Sequence, residues 1–299
     1  MSGAAEPGSS HWRLYSLIGC MTLLWSINYV AAKIALRELP ALFTTGLRNG
    51  LAGLLMIPVY AVHRRNNGAA LWRWADVPVL VALGMCGVAL NQIFFILGIA
   101  KTNVAHASIM IAMTPMLVLL LAAAQGQEKI GVAKVIGMAT AASGVAILQL
   151  SRNGNSGATV AGDVFVFLAA VTFAIFSVSG KRVTGRFSNI TLNTFAYCCA
   201  GVVLIPITIW SGRGVQLEQV SPSAWTAIAY MAVFPSVVCY LIYYYALGQI
   251  PASRVSAFSY LQPLIAIVVA LPVLGERPTS TLLMGGAFVL TGVFVTERF

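Results

Sequence analysis

Polar side chains that stand inside long apolar runs are the residues of this sequence best suited to chemistry. They are Asn28, Asn91, Gln92, His106 and Gln262. A polar group inside a membrane is costly, so each predicts either a cavity that a solute enters or a hydrogen bond to a neighbouring helix. In the first interpretation, these groups bind the polar end of a small molecule.

Aromatic residues form a second candidate set. Trp25 and Tyr29 lie one helical turn apart, as do Tyr240 and Tyr244, so each pair shares a helix face. A flat solute can stack between such rings, although aromatic belts at membrane edges are the other common use. The candidate substrate-binding residues are therefore Trp25, Asn28, Tyr29, Asn91, Gln92, His106, Tyr240, Tyr244, Ser259 and Gln262.

Two prolines occur at matching places in two apolar runs. Pro115 and Pro263 lack an amide hydrogen, so the carbonyls of Ile111 and Ser259 lose their helical partners. A kinked helix with a free carbonyl can line a cavity and act as a hinge. Simple tolerance of proline in membrane helices is the alternative.

Three basic residues predict charge at the mouths of such a cavity. Lys33 and Lys181 are expected at opposite membrane faces, and Arg48 lies about one or two turns inside the second apolar run. They can attract a carboxylate, or the two lysines can extend to the membrane surface.

Features of enzymes and metal proteins are missing from the sequence. It contains no HExxH, GxSxG or P-loop motif, and its five cysteines form no CxxC and have no histidine at metal-ligand spacing. We therefore expect no catalytic residue, no metal and no cofactor. A selectivity-filter pattern typical of a channel is missing as well.

The composition requires lipid as the solvent. Hydrophobic residues make up 59% and charged residues 9% of the 299 residues, against roughly 25% charged in soluble domains. The net charge of +10 is spread over short loops, which indicates membrane topology and no nucleic-acid partner. Lipid and a small-molecule substrate are the expected partners, and the oligomeric state is left open.

Ten stretches are long and apolar enough to span a bilayer. They run over 14–33, 41–62, 77–99, 103–124, 130–150, 160–180, 190–210, 223–247, 254–273 and 279–296. We predict an all-α integral membrane protein with a flexible tail at 1–13, a first five-helix repeat at 14–150, a linker at 151–159 and a second repeat at 160–299.

An offset of 148 residues relates the two halves. It joins Lys33 to Lys181, Gly53 to Gly201, Pro58 to Pro206, Pro115 to Pro263, Glu128 to Glu276, Gly137 to Gly285 and Gly144 to Gly292. Because each half has an odd number of spans, the second half enters the membrane from the opposite side. Such inverted repeats are found in many transporters, with the substrate site near the midplane between them.

The end of each half resembles the EamA-type members of the drug/metabolite transporter superfamily. The segments are PMLVLLLAAAQGQE at 115–128 and PLIAIVVALPVLGE at 263–276, with ALGQIPASRVSAFSYLQP at 246–263. The resemblance implies ten helices in two five-helix repeats. Within the family, the chain resembles the YddG-type aromatic amino-acid exporters of bacteria, although Trp25 is followed by Ser-Ile-Asn where the family usually has glycine.

The resemblance implies export of aromatic and other neutral amino acids across the bacterial inner membrane. Lysine and arginine are more frequent on the side of the N-terminus, which predicts cytoplasmic termini. Other drugs and metabolites or nucleotide sugars are the alternative substrates, and a channel or an intramembrane enzyme is the alternative class. No carboxylate stands at the centre of a span, so we expect weakly coupled or facilitated transport, with His106 as the one candidate proton relay.

Overall fold

The computed structural model describes residues 7–67, 72–127, 129–150, 159–275 and 279–298. Within these ranges all regular structure is helical, and apart from a short 3₁₀ turn, Leu217–Gln219, it forms ten successive segments. They are α1 (Pro7–Leu36), α2 (Ala41–Asn67), α3 (Trp74–Lys101), α4 (Val104–Ala124), α5 (Val132–Leu150), α6 (Val160–Val183), α7 (Asn189–Ser211), α8 (Pro222–Gln249), α9 (Ala252–Leu274) and α10 (Ser280–Arg298). The predicted ten-helix membrane protein is confirmed.

Apolar composition explains why these segments are helical spans. Eight of them have the length and hydropathy to cross a membrane, and α5 and α10 contain shorter apolar stretches, Val132–Gly144 and Leu283–Gly292. In hydrocarbon each backbone amide must be paired within its own segment, which a helix achieves. Large side chains such as Val202 and Trp210 are exposed on α7, as expected for a surface that faces lipid.

The first helix begins earlier than the sequence indicated. Residues 7–13, assigned to the flexible tail, form the first turns of α1, which starts at Pro7. Proline suits the first turn of a helix, because an amide hydrogen there has no helical partner. Residues 1–6 of the tail and 151–158 of the linker lie outside the described residues.

The helix boundaries repeat with the offset found in the sequence. The first residues of α2, α3, α4 and α5 each precede those of α7, α8, α9 and α10 by 148 residues. Each half therefore has five spans, and the two halves have opposite orientations in the membrane. We call the face where α1 begins the N-terminal face, and the other the opposite face.

Helices of one half pack against helices of the other. The first helix, α1, packs on α8 and α9, and its counterpart α6 packs on α3 and α4. The remaining helices pack against their own counterparts in the other repeat, α2 against α7 and α5 against α10. Six helices, α1, α3, α4, α6, α8 and α9, thus meet around the centre of the bundle.

Glycines permit the close contact between α5 and α10. A Cβ atom added to Gly144 would lie 2.6 Å from the carbonyl oxygen of Gly285, and one added to Gly292 would lie 2.4 Å from that of Gly137. The offset relates Gly137 to Gly285 and Gly144 to Gly292. Across the interface, Gly144 faces Gly285 and Gly292 faces Gly137. Glu128 and Glu276, also related by the offset, lie outside the described residues.

The central helices are irregular at matching places. In α3 and α8 the regular helix is interrupted by π-helical segments, Met85–Leu90 and Ala232–Val238. In α4 a turn at 112–113 precedes Thr114, and in α9 a 3₁₀ segment, Ala257–Tyr260, precedes Leu261. Such interruptions inside helices are frequent at functional sites.

Two loop contacts link the halves at opposite membrane faces. At the opposite face, Glu38 accepts hydrogen bonds from the Ser221 amide at 2.7 Å and the Ser221 hydroxyl at 2.5 Å. At the N-terminal face, Asp76 pairs with Arg186. Glu38 and Arg186 are separated by the repeat offset, so the two contacts occupy equivalent places. The bonds from Ser221 hold the pKa of Glu38 below its usual range.

Candidate functional site

A cavity lies at the centre of the bundle, between the two repeats. It has about 570 Å³ of free space, including the part open to solvent. Seven of the described helices contribute to its wall. The lining residues are Trp25, Asn28, Tyr29, Arg48, Asn91, Gln92, Phe95, Ile111, Thr114, Phe173, Tyr240, Ser259 and Gln262.

The repeat symmetry extends into the cavity wall. Four pairs of lining residues are separated by the 148-residue offset. They are Trp25 with Phe173, Gln92 with Tyr240, Ile111 with Ser259, and Thr114 with Gln262. The cavity therefore lies on the pseudo-symmetry axis, as an alternating-access site between inverted repeats requires.

Aromatic rings form one wall. The ring of Trp25 on α1 meets Phe173 on α6 edge to face at 5.7 Å and Tyr240 on α8 at 6.0 Å, measured between centroids. Tyr243, behind them, shares a 2.6 Å hydrogen bond with Ser177. These contacts join three helices and present ring faces and edges to a solute.

The π-helical segments fix two of these aromatic side chains. The hydroxyl of Tyr240 donates to the carbonyl oxygen of Gly87 at 2.6 Å, and Trp25 Nε1 donates to that of Pro235 at 3.1 Å. Gly87 and Pro235 are again separated by 148 residues. Each π segment thus accepts a hydrogen bond from an aromatic residue of the other repeat.

Amide side chains form the polar part of the wall. Asn91 Nδ2 donates to the carbonyl of Ala169 at 2.8 Å, and Gln92 Nε2 donates to Asn91 Oδ1 at 3.2 Å. Among the described residues, Asn28 Oδ1 and Gln92 Oε1 are buried without a hydrogen-bond partner. These two oxygens can accept hydrogen bonds from a solute.

Tyr29 connects the two repeats beside these amides. Its hydroxyl donates to Gln262 Oε1 at 3.0 Å, and its ring packs against Phe95. The bond joins α1 of the first repeat to α9 of the second, just after the interruption in α9. A movement of α9 therefore changes the cavity wall directly.

Arg48 lies deeper than the sequence indicated. We expected it at a cavity mouth, but it is 1% exposed and its side chain reaches the wall of the central cavity from α2. Nη2 donates to Ser236 Oγ at 3.1 Å, and Nη1 lies 3.9 Å from Met231 Sδ. The guanidinium is therefore held by α8.

Lys33 and Lys181 lie near the two ends of the bundle. Lys33 lines a second cavity at the opposite face with Arg37, beside the ends of α1, α3 and α9. Lys181 Nζ donates to the carbonyls of Leu247 at 2.5 Å and Ile250 at 3.0 Å. Lys181 therefore caps the C-terminus of α8, where a positive charge is favourable.

Two predicted residues do not line the central cavity. Tyr244 is fully buried behind it, against Phe176 and Tyr240. His106 lies near the opposite face, where its Nδ1 is 3.6 Å from Asp163 Oδ2. Tyr244 is excluded by the side of α8 that it occupies, which an apolar run does not reveal, and His106 by its place in the first turn of α4, at one end of the span.

The hinge candidates follow the interruptions in α4 and α9. Pro115 is the second residue of the helical piece that starts at Thr114, and Pro263 is the third residue of the piece that starts at Leu261. The carbonyl of Ile111 accepts a 2.6 Å hydrogen bond from Thr114 Oγ1. The backbone group that the proline leaves without a helical partner is thus paired locally.

Four lining residues were missed by the sequence analysis: Phe95, Ile111, Thr114 and Phe173. The last three are the offset partners of Ser259, Gln262 and Trp25. Applying the repeat to the candidate residues themselves would have found them. Phe95 carries no such signal, because phenylalanine is common throughout the apolar runs.

In the described part of the chain, no group of three or more His, Cys, Asp or Glu side chains is placed to hold a metal ion. A helical membrane bundle of two inverted repeats around a central cavity is the architecture of a secondary transporter. The chain belongs to the EamA-like transporter family, whose profile matches residues 12–150 and again 160–298.

Several relatives of this chain are transporters by name. An uncharacterized transporter of Archaeoglobus fulgidus is 28% identical over 276 residues, with 92% of this chain and 95% of the relative covered. A probable terminal-alkyne amino-acid exporter of Streptantibioticus cattleyicolor is 29% identical over 226 residues, 76% of this chain and 75% of the relative. A solved crystal structure with 19% identity has the same fold, with a TM-score of 0.69 over 96% of this chain and 97% of the other.

Proposed function

We propose that this transporter exports amino acids, with aromatic and other neutral ones as its main substrates. The observation that carries the proposal is the composition of the central cavity wall. Aromatic rings line the cavity, and the same wall contains two buried amide oxygens, Asn28 Oδ1 and Gln92 Oε1, that have no partner among the described residues. Rings suit a flat side chain, and amide oxygens accept from an ammonium group.

The resemblance to the YddG-type exporters and the name of the Streptantibioticus cattleyicolor relative support the same substrate class. The proposed substrate-binding set consists of the eight predicted residues that line the cavity, joined by Phe95, Thr114 and Phe173; Tyr244 and His106 are not part of it. The protein lies in the bacterial inner membrane with both termini in the cytoplasm, in accordance with the distribution of Lys and Arg.

Transport proceeds by alternating access. The halves 14–150 and 160–299 move relative to each other, with α4 and α9 bending at the interruptions before Pro115 and Pro263. Lys33 and Lys181 provide positive charge near the two mouths. Because an inverted repeat presents similar helix arrangements to both faces, the same wall residues serve the inward-facing and the outward-facing states.

Counterflow in proteoliposomes tests the proposal. The purified protein is loaded with unlabelled amino acid, and uptake of labelled phenylalanine, tryptophan, leucine, glutamate and lysine is followed. We expect saturable exchange of phenylalanine, tryptophan and leucine, with Trp25→Ala weakening it. Trp210→Ala, on the lipid-facing side of α7, is the matched control. If correctly folded protein exchanges no amino acid, the substrate proposal is wrong.

A further inference from the structure

The guanidinium of Arg48 is a buried charge whose protein contacts are neutral. Its side chain is among the largest fully buried ones, and it borders the central cavity. Ser236 Oγ accepts from Nη2 and itself donates to the carbonyl of Met231 at 2.8 Å. The second contact is the thioether of Met231, a weak acceptor.

Three carboxylates of the described residues are engaged elsewhere. Asp76 pairs with Arg186, Asp163 lies beside His106, and Glu38 binds Ser221. No carboxylate in the described ranges lies within 4.0 Å of Arg48. A charged side chain at this depth is costly without a counter-charge, so its neutral surroundings require an explanation.

The orientation of the guanidinium explains why its surroundings are neutral. Arg48 Nε is buried and has no hydrogen-bond partner among the described residues, while both terminal nitrogens contact α8. The π-helical segment Ala232–Val238, to which Ser236 belongs, thus holds one side of the guanidinium, and donors remain for a group that enters the cavity. A planar fork of donors matches the two oxygens of a carboxylate.

We infer that Arg48 binds the carboxylate of the transported solute and is the determinant by which the cavity selects carboxylate-bearing substrates. The inference rests on the proposed function and deepens it by naming the recognised group. Arg48 is the only Lys or Arg among the described lining residues of the central cavity. One cation suits a monocarboxylate, whereas a phosphorylated solute of higher charge requires several.

The same wall provides for the other end of an amino acid. Asn28 Oδ1 and Gln92 Oε1, the two amide oxygens of the described cavity lining that are buried without partners, accept from an ammonium group. Trp25, Phe173 and Tyr240 border the space for the side chain. Arg48 therefore binds the carboxylate, the amide oxygens accept hydrogen bonds from the ammonium group, and the aromatic rings contact the side chain.

Competition with truncated substrates tests the inference. Counterflow of labelled phenylalanine is measured against unlabelled phenylalanine, 3-phenylpropionate (a carboxylate without the amine) and phenylalaninamide (an amine without the carboxylate). In parallel, the thermal stability of the protein in detergent is measured with each compound. We expect phenylalaninamide to require about 10- to 100-fold higher concentration than phenylalanine, because it lacks the charge-assisted hydrogen bonds.

Arg48→Gln is expected to abolish this preference, and Arg213→Gln, an exposed loop arginine, is the control that keeps it. Equal competition by phenylalaninamide and phenylalanine in the unmodified protein would overturn the inference and leave amino-acid export intact. The comparison of phenylalaninamide with phenylalanine uses the unmodified protein, so it can overturn the inference even if Arg48→Gln does not fold.

The thermal-stability measurement distinguishes the proposal of amino-acid export from the proposal of a carboxylate site at Arg48. If no amino acid is exchanged but 3-phenylpropionate stabilises the unmodified protein and not Arg48→Gln, amino-acid export is wrong and the carboxylate site stands. If exchange occurs and folded Arg48→Gln retains the preference for carboxylates, the site assigned to Arg48 is wrong. If neither exchange nor carboxylate-dependent stabilisation occurs, both are wrong.

Discussion

Gly87 and Pro235 occupy equivalent positions in the two repeats, and the carbonyl oxygen of each accepts a hydrogen bond from an aromatic residue of the other repeat. Tyr240 donates to Gly87 and Trp25 donates to Pro235. Both carbonyls belong to π-helical segments, where backbone pairing is locally shifted. The irregular backbone of each half thus positions the cavity side chains that belong to the other half.

Aromatic side chains of the wall are expected to affect aromatic substrates most. Trp25→Ala and Phe173→Ala each remove ring contacts worth about 0.5–1.5 kcal/mol, so the half-saturating concentration of phenylalanine should rise about 2- to 10-fold. That of an aliphatic substrate such as alanine should change less. Kinetics of counterflow measure both, with Trp210→Ala unchanged for either substrate. An equal loss for both substrates would indicate general damage to the protein.

Contact between α5 and α10 is expected to limit the size of the residues in it. Gly144→Val would place side-chain atoms against the backbone of Gly285 and Val289, and overpacking of this kind costs about 1–3 kcal/mol. Thermal unfolding in detergent should show a lower midpoint. Gly50→Ala is the control, since nothing lies within 4 Å of an added Cβ there. Unchanged stability of Gly144→Val would contradict the packing described for α5 and α10.

The contact between Glu38 and Ser221 is expected to weaken in acid. Hydrogen bonds from Ser221 lower the pKa of Glu38, so its contribution to stability is present above the unfolded-state pKa of about 4.3 and is lost as the pH falls through the lower, folded-state pKa. The stability difference between the unmodified protein and Glu38→Gln should therefore shrink between pH 7 and pH 3. A difference that stays constant over this range would show that the charge of Glu38 is not involved.

A pH gradient is expected to have little effect on transport. In the described helices the central cavity is lined by no carboxylate and no histidine, and His106 lies beside Asp163 away from it. Counterflow rates with and without an imposed pH gradient should agree to within about two-fold. This difference is well below the ten-fold change that corresponds to about 1.4 kcal/mol. Acceleration by a gradient that His106→Ala abolishes would establish proton coupling through this residue instead.

Much of the fold could be predicted from hydropathy and internal repetition. Span positions follow from the length of apolar runs, and the offset that relates Pro115 to Pro263 also relates the helix boundaries. Eight of the ten candidate binding residues line the cavity, because polar and aromatic groups stand out in apolar helices.

Other features depend on tertiary packing and left no signal. The π-helical segment Met85–Leu90 has an ordinary apolar sequence, so nothing in it predicted the shifted backbone pairing. The depth of Arg48 results from its contacts with Ser236 and Met231 on a helix far away in sequence. Tyr244 lies one turn from Tyr240, but the packing of Phe176 separates it from the cavity.

Substrate protection of a cysteine in the cavity tests the central claim most directly. Ser259→Cys, in a background that lacks the five native cysteines, places a single thiol in the wall, and Gln216→Cys places one on an exposed loop as the control. The account predicts that phenylalanine slows thiol labelling at position 259, half-maximally at the concentration that half-saturates counterflow, and leaves position 216 unaffected. Unchanged labelling at 259 while counterflow saturates would show that the substrate binds elsewhere.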